Sequence, residues 1–128
     1  MRVLLDTHTF LWFIWADAQL SQTARNSIED MQNQKYLSIA SLWEIVIKVR
    51  LGKLNLLESL PDFFSHYVDD YGFIVLPVER NHLLTLATLP LQHRDPFDRI
   101  LIAQSIQEGM PLLSADHIMD SYPVSRIW

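Results

Sequence analysis

The feature that most constrains the fold is a series of short, largely apolar runs of strand length, separated by segments with helical character. The runs cover residues 1–5, 35–39, 73–76, 111–114 and 125–128. The clearest of them, FIVL at 73–76, is apolar at every position, which is typical of a strand covered on both faces of a parallel sheet. The sequence therefore predicts an α/β fold with a central, mostly parallel sheet of four to five short strands flanked by helices.

The segments between these runs carry helix signals. Ser21 is a good N-cap for the segment that follows it, and Gly52 and Gly109 each follow a helical segment at the position where glycine commonly ends a helix. Helices are predicted over 10–15, 21–34, 41–51, 59–71, 79–88 and 96–108.

Composition limits the size and class of the protein. The 128 residues, 49% of them hydrophobic, suffice for one domain with a single core, and we predict one domain over 1–128. The net charge of −5 gives no overall basic signature, so a nucleic acid would have to be held by local basic groups or through metal ions.

The chain has no cysteine, and its apolar segment 10–16 is too short to cross a bilayer. We therefore expect a cytoplasmic protein without membrane association.

One predicted helix begins with two carboxylates, in the segment HRDPFDRILIAQ at 93–104. Asp95 before Pro96 is a good N-cap, and Asp98 in the first turn interacts favourably with the helix dipole. Asp98 also lies one turn before Leu101 and Ile102, on a face that should be buried, and a buried carboxylate needs a compensating cation or donor. We predict that Asp95 mainly caps the helix and that Asp98 mainly holds a metal ion.

Carboxylates occur near the ends of several predicted strands. Asp6 follows the first strand, and Glu44 lies one helical turn after the second. Asp98 lies in the first turn of the predicted helix 96–108, and Asp116 follows the fourth strand. Each has a purely structural alternative: an Asx turn, a capping box with Ser41, a helix-dipole contact and an N-cap, respectively. Together, like charges at one edge of a sheet would repel unless a cation were bound among them. All-oxygen donors favour Mg²⁺ or Mn²⁺.

Four motifs in order along the chain, LLDTHTFLW, SLWEI, HRDPFDRILIAQ and LLSAD, resemble those of the PIN-domain family, and within it the VapC-type toxins of toxin–antitoxin pairs. The resemblance implies a PIN-like fold, a Mg²⁺- or Mn²⁺-dependent endoribonuclease, a small antitoxin as partner and a homodimer. It assigns the catalytic and metal-binding acids to Asp6, Glu44 and Asp98, with Asp116 as a more variable fourth. Ser114 stands where many relatives have threonine, so the hydroxyl is retained.

Cleavage of a phosphodiester by a metal-activated water assigns roles to these acids. We expect Asp6 and Asp98 to be the principal ligands, Glu44 to be a ligand or a base that orients the water, and Asp116 to act at a second site or through water. Thr7 or Ser114 would hold a carboxylate or a phosphate oxygen, with a plain turn role as the alternative.

Other side chains are assigned by their spacing. Lys48, Arg50 and Lys53 form the local basic group and are candidates to contact RNA phosphates; the alternative is a solvated helix end with a Glu44–Lys48 pair. The histidines lack the spacing of a metal motif and are predicted to be surface or packing residues: His8, His66, His82, His93 and His117.

The first predicted helix is rich in aromatic residues. Trp12, Phe13 and Trp15 are expected to be mostly core, and any that face outward would suit a dimer or partner surface.

Two other classes of protein remain as alternatives. A receiver- or phosphatase-type phosphoryl-transfer domain is an alternative enzyme, although Asp6-Thr7-His8 supplies neither an acid pair nor an Asp-x-Asp motif. A catalytically silent binding module of the same fold is the alternative outside enzymes.

Overall fold

The computed structural model describes all 128 residues, Met1–Trp128, and confirms the predicted α/β fold. Five short strands and six α-helices alternate along most of the chain, together with one π-helical segment and one 3₁₀ turn. In chain order the elements are β1 Arg2–Leu5, α1 Thr7–Ile14, α2 Gln22–Glu29, β2 Gln34–Ser38, α3 Ile39–Arg50, α4 Leu60–Phe64, the π segment Ser65–Asp70, β3 Ile74–Leu76, α5 Arg80–Thr88, α6 Pro96–Glu108, β4 Leu112–Leu113, the 3₁₀ turn His117–Ser121 and β5 Arg126–Ile127.

All neighbouring strands of the sheet are parallel, in the order β3-β2-β1-β4-β5. Leu5 at the end of β1 pairs with Leu37 of β2 on one side and with Leu113 of β4 on the other. The strand order changes direction between β1 and β4. In open parallel sheets, the crevice beyond the carboxyl ends of the strands at such a switch point is the usual binding site.

The central strand β1 explains why the apolar runs do not alternate with polar residues. Val3 and Leu5 contribute to a core cluster with Phe10 of α1 on one face of the sheet. Leu4 points to the other face and packs against Leu101 of α6. Both faces of β1 are therefore buried, as the sequence predicted for a parallel sheet.

Two helix starts differ in how well the sequence located them. Ser21 caps α2 as predicted, accepting the N–H of Ala24 at 3.1 Å. The prediction that α3 opens at Ser41 was wrong: Ser38, the last residue of β2, caps α3 by accepting the N–H of Ala40 at 3.0 Å. The chain passes from strand to helix without a loop, so Ser41 lies inside the helix and its buried hydroxyl has no hydrogen-bond partner.

The remaining helices follow the prediction with small changes of boundary. The predicted helix 59–71 divides into α4 and the π segment, and Gly109 ends α6 with a φ of 65°, a left-handed conformation that glycine adopts without strain. None of the helices combines the length and the apolar character that crossing a membrane requires.

Candidate active site

Asp6 is the residue immediately after β1, at the switch point of the sheet. Its carboxylate caps α1 by accepting the N–H of Thr9 at 2.8 Å, and its own N–H donates to the carbonyl of Leu113 in β4 at 3.1 Å. The side chain is buried, and this burial raises the pKa of Asp6; hydrogen bonds from Ser114 and Thr9 offset the effect in part. The alternative role of Asp6 as a turn and cap residue is thus real, but it leaves a buried carboxylate beside β4.

Glu44 is buried on α3, and both of its carboxylate oxygens have a partner. Oε1 accepts the hydroxyl proton of Thr7 at 2.7 Å, and Oε2 lies 2.8 Å from Nζ of Lys48. The suggested capping box with Ser41 is absent, because Ser38 is the cap. Thr7 therefore holds a carboxylate, one of the two roles predicted for it, and Lys48 forms the pair given as its alternative.

Asp98 lies in the first turn of α6, and its side chain keeps 22% of its accessible surface. Burial and the negative charges of Asp95, Asp6 and Glu44 raise the pKa of Asp98 to about 7, against a lowering by His93. Asp98 thus lies near the carboxylates of Asp6, which follows β1, and of Glu44 in α3. The three acids Asp6, Glu44 and Asp98, predicted from separate motifs, are brought together.

Asp95 makes the capping contacts predicted for it. Its Oδ1 accepts the N–H of Phe97 at 2.8 Å and that of Asp98 at 3.3 Å. Pro96 follows at the first helical position, where no backbone donor is needed.

Asp116 caps the 3₁₀ turn and is joined to Asp98 through His93. Its Oδ1 accepts the N–H of Ile118 at 3.0 Å, and its Oδ2 lies 2.7 Å from Nε2 of His93. The same Nε2 lies 3.1 Å from Oδ2 of Asp98. Asp116 therefore belongs to the acidic site while also serving as the cap suggested as its alternative.

The prediction that His93 is only a surface or packing residue was wrong. Its ring is buried among the acids, and its Nδ1 accepts the N–H of Asp95 at 3.1 Å. In the neutral ring the proton is then on Nε2, which donates to Oδ2 of Asp116. Short metal-binding motifs do not identify His93, because its partner Asp116 lies in a distant segment of the chain. The position of His93 two residues before Asp95 was the one local indication that it belongs to the site.

The other four histidines agree with the prediction. His82 is buried and bridges the N–H of Glu79 and the carboxylate of Glu108, a packing role, and the rest are exposed: His8, His66 and His117.

The remaining predicted contact residues divide between the site and the surface. Ser114, buried at the end of β4, accepts the N–H of Asp116 at 3.1 Å and also hydrogen bonds to Asp6, so it links two of the acids. Lys48 and Lys53 line a groove next to Glu44. Arg50 is exposed and lies outside that groove.

The donor set suits a hard divalent cation. A ring nitrogen of His93 and carboxylate oxygens of Asp98 and Asp116 all lie within 4.8 Å of one another. With its proton on Nε2 and with Nδ1 accepting the N–H of Asp95, His93 holds the carboxylates in place, and the lone pairs available to a cation are those of the carboxylate oxygens. Oxygen donors are the ligands that Mg²⁺ and Mn²⁺ prefer, and a cation there would offset the raised pKa of Asp98.

Comparisons with known proteins agree with this architecture. A chain of the crystal structure of VapBC2 from Rickettsia felis, bound to a DNA fragment from the promoter, matches with a TM-score of 0.74 and 13% identity over 100% of both chains. A chain of the structure of FitAB bound to an IR36 DNA fragment matches with a TM-score of 0.64 and 14% identity, over 98% of this chain and 93% of that one. At these identities the likeness is one of fold. No curated protein matches the sequence. The family model described as the PIN domain matches residues 3–124, nearly the whole chain, and the protein therefore belongs to the PIN-domain family.

Proposed function

We propose that this chain is a Mg²⁺- or Mn²⁺-dependent endoribonuclease that acts in the cytoplasm. The observation that carries the proposal is the meeting of Asp6, Glu44 and Asp98, from three different elements, beside the switch point of the sheet. Burial raises the pKa of Asp6, and burial with neighbouring like charges raises that of Asp98. Carboxyl groups whose ionised form is unfavourable in this way are concentrated at functional sites, and a bound cation would stabilise the ionised form.

The residues of the site have separate tasks in this proposal. When bound, a divalent cation lowers the pKa of a water molecule and stabilises negative charge on phosphate oxygens. Asp6 and Asp98 are the principal ligands, and Asp116 acts at a second position or through water. Glu44, held by Thr7, orients the attacking water or accepts its proton. The water oxygen bonds to phosphorus as the P–O bond to one ribose oxygen breaks, so one fragment ends in a phosphate and the released oxygen takes up a proton to become the hydroxyl of the other.

Cleavage of RNA by purified protein tests this function. We expect short RNAs to be cut with Mg²⁺ or Mn²⁺ present, and cleavage to be lost in EDTA and in the Asp6→Asn and Asp98→Asn variants. Asp69→Asn, at an exposed acid far along the chain from these motifs, is the matched control and should cut like the parent. Cleavage that survives EDTA, or that persists in Asp6→Asn purified by the same procedure, would point to a contaminating nuclease and contradict the proposal.

We propose that the partner is a small antitoxin protein and that the chain is the toxin of the pair. The fold is similar to chains of VapBC2 and FitAB complexes. A basic side chain of the antitoxin entering the acidic site would be favourable, because a cation there can take the place of the metal. Expression of the parent should stop growth, Asp6→Asn should not, and co-expression of a small protein encoded beside it should restore growth. Equal toxicity of the parent and Asp6→Asn would mean that growth arrest does not depend on the acidic site, which would contradict the proposal.

We also propose a homodimer, formed through a different surface from the one the first helix suggested. Trp12 and Phe13 pack against the core, and Trp15 is 44% exposed. A broader apolar face lies on α3 and α5, where Trp43 is 63% exposed and Leu83 50%. Light scattering should report a dimer for the parent and for Trp15→Glu, and a monomer for Trp43→Glu. A monomeric parent would exclude the dimer without bearing on the nuclease.

The fold weakens one of the two alternative functions, and metal binding would decide the other. Receiver domains have the strand order 2-1-3-4-5, whereas this sheet has the order 3-2-1-4-5 and the chain belongs to the PIN-domain family. A silent binding module should show no stabilisation by Mn²⁺, so metal binding distinguishes it from the nuclease.

A further inference from the structure

A groove runs from the acidic site along the C-terminal half of α3, with the start of α6 as its other wall. Glu44 and Asp95 border it at the end nearest the acids, and its volume is about 430 Å³. Clefts of roughly 300–1,000 Å³ are the size that commonly holds ligands. The groove is therefore large enough for part of an extended molecule whose neighbouring part lies in the acidic site.

The cationic side chains of this groove differ in how they are paired. Lys48 is engaged with Glu44 at 2.8 Å. Lys53 and Arg94 are exposed, and neither side chain makes an ion pair or a hydrogen bond within the chain. Two unpaired cations thus face a groove that opens beside buried carboxylates, in a protein with a net charge of −5.

We propose that this groove holds the backbone of single-stranded RNA as it leaves the acidic site, with Lys53 and Arg94 contacting phosphates on opposite walls. The inference rests on the proposed ribonuclease function and names the path of its substrate. Repulsion from an acidic protein would otherwise oppose the approach of a polyanion, and unpaired cations at one place both offset it and set the direction of the strand.

The apolar part of the lining fits the same occupant. Leu51 is 62% exposed in the groove, and Phe97 is half-buried on the opposite wall. Phe97 is supported from behind by Trp43 at 5.3 Å between ring centroids, in an edge-to-face arrangement. Apolar and aromatic surface between two cations suits the sugars and bases of a strand whose phosphates lie at the walls.

Another arginine provides a matched control. Arg80 is exposed, like Lys53 and Arg94, and its side chain also lacks an ion pair, but it does not line the groove. Removing any of the three changes the net charge by the same amount. A difference between the groove variants and the Arg80 variant therefore reports position and not overall charge.

The test is the salt dependence of RNA binding. A fluorescein-labelled single-stranded RNA of mixed sequence is titrated with Asp98→Asn protein, which should not cut it, in Mg²⁺ at several KCl concentrations. For single strands, each phosphate contact contributes about 0.7 to the slope of log K against log salt. We expect Lys53→Ala and Arg94→Ala each to reduce the slope by about that amount, the double variant to reduce it by about twice as much, and Arg80→Ala to leave it unchanged.

Equal slopes in all variants, or equal losses in the groove variants and the control variant, would overturn the inference. In the otherwise unchanged protein, Lys53→Ala and Arg94→Ala should raise KM for cleavage and leave kcat near the parental value. Failure of the proposed function gives a different result, namely no metal-dependent cleavage by the parent. The slopes measured without cleavage would still decide whether the groove binds the strand.

Discussion

Asp98 is subject to opposing electrostatic effects at the scale of the single residue. Its position in the first turn of α6 favours a negative charge through the helix dipole. Burial and the charges of Asp95, Asp6 and Glu44 act in the other direction and raise the pKa of Asp98 to about 7. The raised pKa means that burial and the neighbouring carboxylates together outweigh the helix dipole.

The raised pKa predicts a pH dependence of stability in metal-free protein. The folded state keeps a proton on Asp98 that the unfolded chain loses near its ordinary value of 3.8. The contribution of Asp98 to the free energy of unfolding is therefore full below about pH 4 and is lost as the pH rises through about 7. Urea unfolding in EDTA should show Asp98→Asn gaining stability over the parent between these limits. A difference that stays constant with pH would contradict the assignment.

A second prediction concerns His93. Its ring accepts the N–H of Asp95, donates to Asp116 and lies 3.1 Å from Oδ2 of Asp98. His93→Ala leaves these partly buried groups without their partner, and we expect the free energy of unfolding to fall by about 1–3 kcal/mol. RNA cleavage should fall as well, because Asp116 is no longer held next to Asp98. His66→Ala, at an exposed histidine, is the control and should change neither quantity.

At the scale of elements, α3 and α6 each begin at the sheet edge and carry an acid into the site within their first two turns. Ser38 caps α3 and Asp95 caps α6. The two helices also pack together, with Ala40 of α3 in one cluster with Ile100 and Ala103 of α6. The small side chains of Ala40 and Ala103 allow the two helices to approach closely, and this contact helps to set the separation of Glu44 and Asp98.

The cap of α6 predicts different effects for two substitutions at Asp95. Asparagine is an equally good cap, so Asp95→Asn should change stability little and keep most of the cleavage activity. Asp95→Ala should lower the free energy of unfolding by about 0.5–2 kcal/mol, with or without metal. Chemical denaturation beside the cleavage assay measures both. Loss of cleavage in a well-folded Asp95→Asn protein would place Asp95 among the ligands instead.

At the scale of the whole molecule, the site joins parts of the chain that are distant in sequence. Asp6 follows the central strand, Glu44 and Asp98 come from two helices, and Asp116 follows β4. A ligand that binds only where these parts are together stabilises the entire fold and not one segment.

Metal binding should therefore raise the stability of the protein as a unit. At a Mn²⁺ concentration about 100 times its dissociation constant, linkage predicts a gain of about 2.7 kcal/mol in the free energy of unfolding. Asp98→Asn should show much less, so its advantage over the parent in EDTA should shrink when Mn²⁺ is added. Thermal unfolding of both proteins in each condition provides the measurement. Equal stabilisation of the two would mean that the ion binds elsewhere.

The sequence by itself determined the features that depend on short-range interactions. Strands apolar at successive positions, such as β1, predicted a sheet buried on both faces, and the caps at Ser21 and Asp95 each depend on atoms within three residues. The ordered motifs around Asp6, Glu44 and Asp98 indicated the family. These inferences succeed because strand burial, capping and motif spacing are already expressed in neighbouring positions of the chain.

Only the tertiary structure decided which side chains meet. Thr7 binds Glu44 across 37 positions and His93 binds Asp116 across 23, and both contacts depend on the order of strands in the sheet. The cap of α3 is Ser38 and not Ser41 because β2 ends at Ser38. The end of β2 is decided by the pairing of this strand with β1 and β3. Whether Lys53 and Arg94 remain unpaired also depends on which side chains folding brings beside them. Such contacts form between segments that local sequence cannot compare, because the energy that selects them comes from packing the whole sheet.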